Sequence, residues 1–374
     1  MKKIFVAMSG GVDSSVAAAL LKKAGYEVTG VFIKIWAPEL SACDWREELR
    51  DAMRVAARIY ISLISFDLSA DYKKLVIDYL LKEYRVGRTP NPDVMCNKEI
   101  KFGIFYREAL KRGADFIATG HYAQIRRESN LLAPGRRGEV ADRSLSRLVT
   151  SKDKNKDQTY FLWTLTPKIL AHTLFPIGEY QKKEVRKLAK KFGLSNAEKS
   201  DSQGLCFLGQ IDFKDFLAQH LPKKKGKVLN EAREEVGEHN GAHFYTIGER
   251  HGFCVTARTP TSAPLYIIAK DIKKNILVVS AQPATSQSAC REIILNSVNW
   301  ITDAPPASNK IIKARIRYRA PLVSCRVKNL VGHCARVTFS KPLFGPTPGQ
   351  SCVFYDSRGI ACLGGGVISE EQKL

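Results

Sequence analysis

Residues 3–15, KIFVAMSGGVDSS, admit few arrangements. The apolar run at 4–8 reads as a short buried strand, Ser9, Gly10 and Gly11 as a tight turn, and Asp13 with Ser14 as the opening of an apolar helix over 16–21. At such a junction the first helical N–H groups have no partner within the helix and the dipole is positive, so an anion is welcome. Glycine lets the backbone come close to that anion. The stretch therefore reads as a phosphate site. No lysine follows Gly11, so the usual P-loop ending is absent, and Asp13 points instead to a magnesium-bridged pyrophosphate. The apolar run is too soon interrupted by Gly10, Gly11 and Asp13 to read as a signal peptide.

The pattern continues with expected strands at 27–33, 61–66 and 116–119 and expected helices at 44–59, 71–84 and 102–110. Alternation of this kind predicts a parallel sheet covered on both faces, with its ligand edge where strands end and helices begin. Residues 9–14, Ile33, Gly120 and His121 are therefore expected to converge. The polar stretch 131–147 reads as a solvated hairpin excursion, and 158–194 as a largely helical region whose basic face at 180–192 is read as solvated surface as readily as a binding element. After the run LPKKKGK at 221–227, short alternating segments at 243–247, 264–269 and 275–280 read as strands. A further set at 310–318, 323–328, 334–339, 350–355 and 361–368 is best closed as a small antiparallel barrel. The expected organisation is an α/β domain over 1–220, a β-rich domain over 221–288 and a barrel over 289–374.

A formal charge of +22, with 44% hydrophobic residues, describes a folded chain with a basic surface. No transmembrane run or lipidation signal is present, which leaves nucleic acid as the favoured polyanion and the cytoplasm as the expected location. The nine cysteines form no C-x-x-C pair, so neither a zinc knuckle nor a secreted disulfide framework is supported. Two stand out by their surroundings. Cys96 lies in GRTPNPDVMCNKEIKFG, where two prolines are read as forbidding regular structure until a helix begins just after the thiol; Cys206 lies in the glycine-bounded DSQGLCFLG. A thiol near a helix start or lysines has its thiolate favoured and becomes a nucleophile, although taken singly each reads first as a buried structural residue rather than a catalytic one.

SGGVDSS resembles the PP-loop of ATP pyrophosphatases, of the adenine nucleotide alpha hydrolase-like fold. With TPNPDVMCNKEIKF, TGHYA at 119–123, NKDQTYFL at 155–162, GLCFLG, PGQSCVFYD and CLGGGVI, the chain is similar nearly end to end to the bacterial tRNA-specific 2-thiouridylases. The resemblance implies an ATP site at Ala7, Met8, Ser9, Gly10, Gly11, Val12, Asp13 and Ser14, with Ile33 and Gly120 near the nucleoside and Mg2+ entering with ATP. It implies adenylation of the wobble uridine in the anticodon loop of a tRNA. A persulfide on Cys206, supplied by a sulfur-relay protein or cysteine desulfurase, would then deliver sulfur, and attack by Cys96 would release 2-thiouridine and leave a Cys96–Cys206 disulfide. Asp93 would serve as general acid or base, or simply as a turn former after proline. Asn91, Pro92 and Asp93 would touch the target base, while His121, Lys156, Asp157, Gln158, Arg317, Tyr318 and Gln350 would contact tRNA. Acting on a base requires taking it out of its stack, which a single-stranded loop makes cheaper.

The chain departs from the family's pattern at residues 36–45 and 132–145, and Cys43 and Cys254 have no assigned role. Three alternatives stay open: an amide-forming PP-loop ligase, which would need no reactive cysteine pair; a non-catalytic RNA-binding protein; and an iron–sulfur cluster on Cys96, Cys206 and Asp93, which is not favoured. No metal is expected from a side-chain cluster.

Overall fold

The computed structural model describes residues 1–38, 45–127, 146–200, 213–256, 263–282, 290–302 and 304–370. Cys43, Cys206 and most of the 131–147 excursion lie outside them.

The first sheet is fully parallel and has the order β3-β2-β1-β4-β7. Its strands are β1 (Lys3–Ala7), β2 (Glu27–Lys34), β3 (Ser62–Asp67), β4 (Phe116–Ala118) and β7 (Thr173–Leu174), separated by β5 (Ala123–Arg127) and β6 (Ser146–Thr150), which pair as a hairpin. Because side chains alternate along a strand, Ile4 and Val6 enter one apolar cluster with α1 (Val12–Lys23), α2 (Trp45–Arg58) and α8 (Lys182–Lys191), while Phe5 enters another on the opposite face. That second face is covered by two long helical runs: α3 (Ser69–Tyr72), a π-helical Lys73–Ile77 and α4 (Asp78–Arg85), then α5 (Pro92–Met95), a π-helical Cys96–Phe105 and α6 (Tyr106–Lys111). Burial on both faces explains why these strands read as continuous apolar runs. From β1 the chain winds outward through β2 and β3 and then returns to the other side at β4, so the crevice at the strand ends lies between β1 and β4.

Past α7 (Pro167–Ala171), α8 and α9 (Phe213–His220), a mixed sheet has the order β10-β9-β8-β12-β11. It comprises β8 (Gly226–Leu229), β9 (Glu235–His239), β10 (Cys254–Val255), β11 (Tyr266–Asp271) and β12 (Ile276–Ser280). The last unit is a closed six-stranded barrel of β13 (Cys290–Trp300), β14 (Ile312–Arg315), β15 (Val323–Leu330), β16 (Cys334–Leu343), β17 (Ser351–Tyr355) and β18 (Cys362–Ile368), whose closure leaves no edge exposed.

Among the described residues, two sets of hydrogen bonds that tie the units together bear on the site. Tyr160 Oη donates to Ser351 O at 2.9 Å, Trp163 Nε1 to Ser351 Oγ at 3.0 Å, and Asn299 Nδ2 to the carbonyls of Trp163 and Leu165. At the second, Thr89 N donates to Pro348 O, Gln350 Nε2 donates to Thr89 O at 2.8 Å, and the hydroxyls of Thr89 and Thr246 share a 3.3 Å hydrogen bond. Thr89 thus meets both the barrel and the central unit.

Three local expectations differ from the structure. Residues 243–247 are not a strand: Ala242–Phe244 is a 3-10 turn, fixed by Gly241 N on His239 Nδ1 and Ala242 N on Asn275 Oδ1. The helical region expected up to residue 194 is interrupted by β7, whose two residues are too short to give a periodic signal. The helix expected to start after Cys96 starts before it, because Pro92 occupies the first helical turn, where its missing N–H costs nothing, and Asn91 caps it.

Candidate nucleotide and thiol site

The loop after β1 has its shape fixed from several sides. Gly10 has φ +73°, and a Cβ there would collide with the carbonyl oxygen of Glu48 in α2. Ser9 N donates to Ser14 Oγ at 3.2 Å, and the hydroxyls of Ser14 and Ser15 both donate to Gly11 O. Asn196 Nδ2 donates to Gly10 O and to Ser15 Oγ, each at 2.9 Å, from a side chain that is otherwise buried. Gly11 occupies the N-cap of α1 with no side-chain cap, which leaves the helix start open to an anion. From β4, Gly120 lies against the same turn; a Cβ on it would be 2.6 Å from Ser14 N. This backbone cradle fits a phosphate and leaves no room for side chains at either glycine. Met8 N donates to Val31 O, and Ile33 is half-buried at the end of β2, so the two flank the loop as the strand order requires.

Asp13 is not left open at this cradle. Its carboxylate accepts two hydrogen bonds from Lys182 Nζ, at 2.8 and 2.9 Å, and one from Tyr122 Oη at 2.9 Å. Lys182 is the first residue of α8, and Gln181 and Glu184 form a capping box around it. Lys182 and Asn196 lie outside every motif quoted above and Tyr122 enters only as part of TGHYA; the fold brings all three to the loop.

His121, next to Gly120, points the other way. Its Nδ1 shares a 2.7 Å hydrogen bond with Thr119 Oγ1, and its ring lies 5.8 Å from Phe102 and 5.9 Å from Phe175. Burial, reinforced by the nearby Lys101 charge, holds the imidazole well below its ordinary titration range, so it is neutral. Phe102 belongs to the helix that carries Cys96. Cys96 opens a π-helical stretch and is 4% exposed; Asn97 beside it donates to Phe161 O, while its own Oδ1 is buried without a hydrogen-bond partner. π-Bulges recur at functional sites. The Asn91 side chain accepts from Asp93 N and Val94 N, and burial raises the Asp93 carboxyl against the opposing pull of Lys101. Cys206 lies outside the described residues. Among the described residues no group of three His, Cys, Asp or Glu side chains is placed to hold a metal.

The neutral His121 makes a sign-definite prediction. The unfolded chain takes up a proton near 6.5 and the folded one does not, so stability present above that pH is lost as pH falls through it, by up to about 1.4 kcal/mol per pH unit. Asp93 acts oppositely: between 3.8 and its raised value the folded state holds a proton that the unfolded chain has released, so stability is gained as pH falls there. The His121→Asn variant, less stable at all pH values, is expected to show a flatter loss between about pH 7 and pH 5.5 in urea denaturation followed by tyrosine and tryptophan fluorescence. Parallel slopes for the two proteins would contradict the assignment.

Of the residues expected at RNA, His121 is buried between Phe102 and Phe175, and the others divide into two groups. Asp157 is buried, accepting from Ser151 N at 3.0 Å and Thr159 Oγ1 at 2.8 Å, and burial raises its carboxyl. Gln158 Oε1 accepts from Tyr122 N, Gln350 is engaged with Thr89, and Arg317 Nη2 donates to Ile247 O, Gly345 O and Thr347 Oγ1. These side chains brace the units. Tyr318, by contrast, lies with Lys154, Asn155, Arg315 and Arg319 on a cavity of about 500 Å3 between the 151–158 loop and the barrel, and Lys156 is half-buried in that loop. The Tyr318 ring is 4.6 Å from Phe161 on one side and 5.1 Å from the Arg319 guanidinium on another.

Comparison with known proteins follows this division into units. The family model described as tRNA methyl transferase HUP domain matches residues 2–210, the tRNA methyl transferase PRC-barrel domain residues 214–281, and the aminomethyltransferase beta-barrel domain residues 290–368. Full-length curated relatives carry a different activity name. The chain is 42% identical over 372 residues to a tRNA-specific 2-thiouridylase MnmA of Nitrosomonas europaea, covering 98% of each chain. It is 42% identical to the enzyme of that name from Streptococcus thermophilus, covering 99% of this chain and 96% of the relative. To the one from Shigella flexneri it is 41% identical, covering 100% and 98%. Agreement at this level across nearly the whole length is more specific than the description of a domain model, so the thiouridylase name outranks the methyl transferase one.

Proposed function

The chain belongs to the tRNA-specific 2-thiouridylase family, and from that premise we propose that it is an ATP-dependent tRNA sulfurtransferase that converts the wobble uridine of the anticodon to 2-thiouridine. The observation that carries this reading is a dipeptide. Gly120 packs on the nucleotide loop at Ser14, while the next residue, His121, packs on Phe102 of the helix that holds Cys96. The glycine turn and the helix that carries Cys96 are thereby held against two adjacent residues, which supports a reading in which nucleotide and thiol act on one base.

In this scheme residues 7–14 hold ATP through backbone N–H groups; Asp13 would be the residue to hold a Mg2+ accompanying the triphosphate, which would offset phosphate charge. Bonding of the uridine O2 to the α-phosphorus expels pyrophosphate and turns a poor leaving group into a good one. The outer sulfur of the Cys206 persulfide adds to carbon 2, and AMP departs with the original oxygen. Attack of the Cys96 thiolate on the Cys206 sulfur breaks the S–S bond to the base-bound sulfur, leaving 2-thiouridine and a Cys96–Cys206 disulfide that a reductant must reopen. Asp93, more readily protonated than an ordinary carboxyl, supplies or accepts a proton at the base, with Asn91 and Pro92 shaping the contact. Lys156, Tyr318 and the arginines of the cavity contact tRNA, where phosphates position and loop contacts select. Arg317, Gln350, Asp157 and Gln158 serve the same surface by holding it in shape. The segment with Cys206 is bounded by Lys199, whose Nζ pairs with Asp51 of α2 at 2.8 Å, and by Phe213, whose ring lies 5.5 Å from Tyr84 of α4. The persulfide comes from a relay protein or cysteine desulfurase. No helix among the described residues is long and apolar enough to cross a membrane.

The test is purified protein with ATP, Mg2+, a persulfide donor and an anticodon stem-loop, analysed by nucleoside mass spectrometry. ATP-dependent 2-thiouridine at the wobble position is expected. A methylated uridine, or sulfur at another position, would overturn the proposal.

A further inference from the structure

Resting on the ATP reading above, we propose that Lys182 is the polyphosphate-binding cation of this site, reaching from α8 to do what the missing P-loop lysine does elsewhere. A loop built only of Ser, Gly, Val and Asp brings no positive side chain to a triphosphate, and its single charged residue repels one. Lys182 Nζ is placed at the first turn of α1, on both oxygens of Asp13 and 5.9 Å from the Tyr122 ring. Its side chain is only 13% exposed, against 32% for Asp13. The position is unfavourable for a cation, since the start of α8 is the positive end of its dipole. It is nevertheless built with care: Gln181 and Glu184 cap α8, and Lys182 N donates to Asp153 Oδ2 at 3.0 Å. A lysine kept there against the helix field has a counter-charge to serve. Asp13 fills that role in the structure, and a bound triphosphate adds a stronger one at the same spot, with Lys182 neutralising both.

Binding rather than turnover reads this out. ATP and adenosine affinities are measured by isothermal titration for wild type, Lys182→Met, Lys182→Arg and the double variant Asp13→Asn/Lys182→Met. Anisotropy with a labelled tRNA stem-loop serves as the check on folding. We expect Lys182→Met to weaken ATP by roughly ten- to a hundred-fold, the loss of one charge-assisted contact. Lys182→Arg should retain most of the affinity, adenosine and RNA binding should stay within about twofold, and the double variant should remain weak. If the lysine only neutralises Asp13, the double variant regains wild-type ATP affinity, and the proposal is overturned. It is equally overturned by ATP affinity of Lys182→Met equal to wild type. Absence of ATP binding by the wild-type protein would instead refute the ATP site itself.

Discussion

Gly10→Ala is expected to remove ATP binding from this protein, by at least about a hundredfold, through the addition of one methyl group. The new Cβ meets the main-chain oxygen of Glu48, which no rotamer change can move, so either α2 or the loop must shift. The φ of +73° adds a cost of about 1 kcal/mol for any L side chain. A shift of about 1 Å in a loop that grips phosphate through its backbone is enough to misplace the reacting phosphorus. Gly25→Ala is the matched control: its φ of +86° carries the same backbone cost, but a Cβ there meets nothing within 4 Å. Isothermal titration with ATP should therefore separate the two, with Gly25→Ala close to wild type. Equal affinities for both variants would take the loop out of the nucleotide site.

Cys96→Ser is expected to reduce 2-thiouridine formation at least about a thousandfold while leaving tRNA-dependent pyrophosphate release in place, because adenylation belongs to the loop and sulfur release to the thiol. The substitution is nearly isosteric, and burying a hydroxyl at a site 4% exposed costs about 1–2 kcal/mol, too little to unfold the chain. Cys254→Ser, at an exposed cysteine, should thiolate normally. Nucleoside mass spectrometry beside a pyrophosphate assay measures both halves. Loss of both together, or of neither, would contradict the division of labour.

What could be read from the sequence was whatever is local. β1, its glycine turn and α1 announce themselves within a dozen residues, and apolar runs marked β2, β3 and β4 because a parallel sheet buries both faces. The helix at Pro92 is hard to read for an instructive reason: proline is a helix breaker, yet Asn-Pro-Asp is also how a capped helix begins. Lys182 stayed hidden because it lies 169 residues from Asp13 and sits in a helix whose other lysines make it look like solvated surface. Arg317 was legible as a charge beside an aromatic, but its guanidinium is occupied by Ile247, Gly345 and Thr347, and only the packing of barrel on central sheet reveals that. Charge can be read from composition; its partner cannot.

Thr89 holds the barrel through Pro348 and Gln350 and the central sheet through Thr246, and it stands two residues ahead of Asn91, the cap of the cysteine-bearing helix. One threonine thus fixes the barrel and the central sheet in register with the turn that begins the helix carrying Cys96.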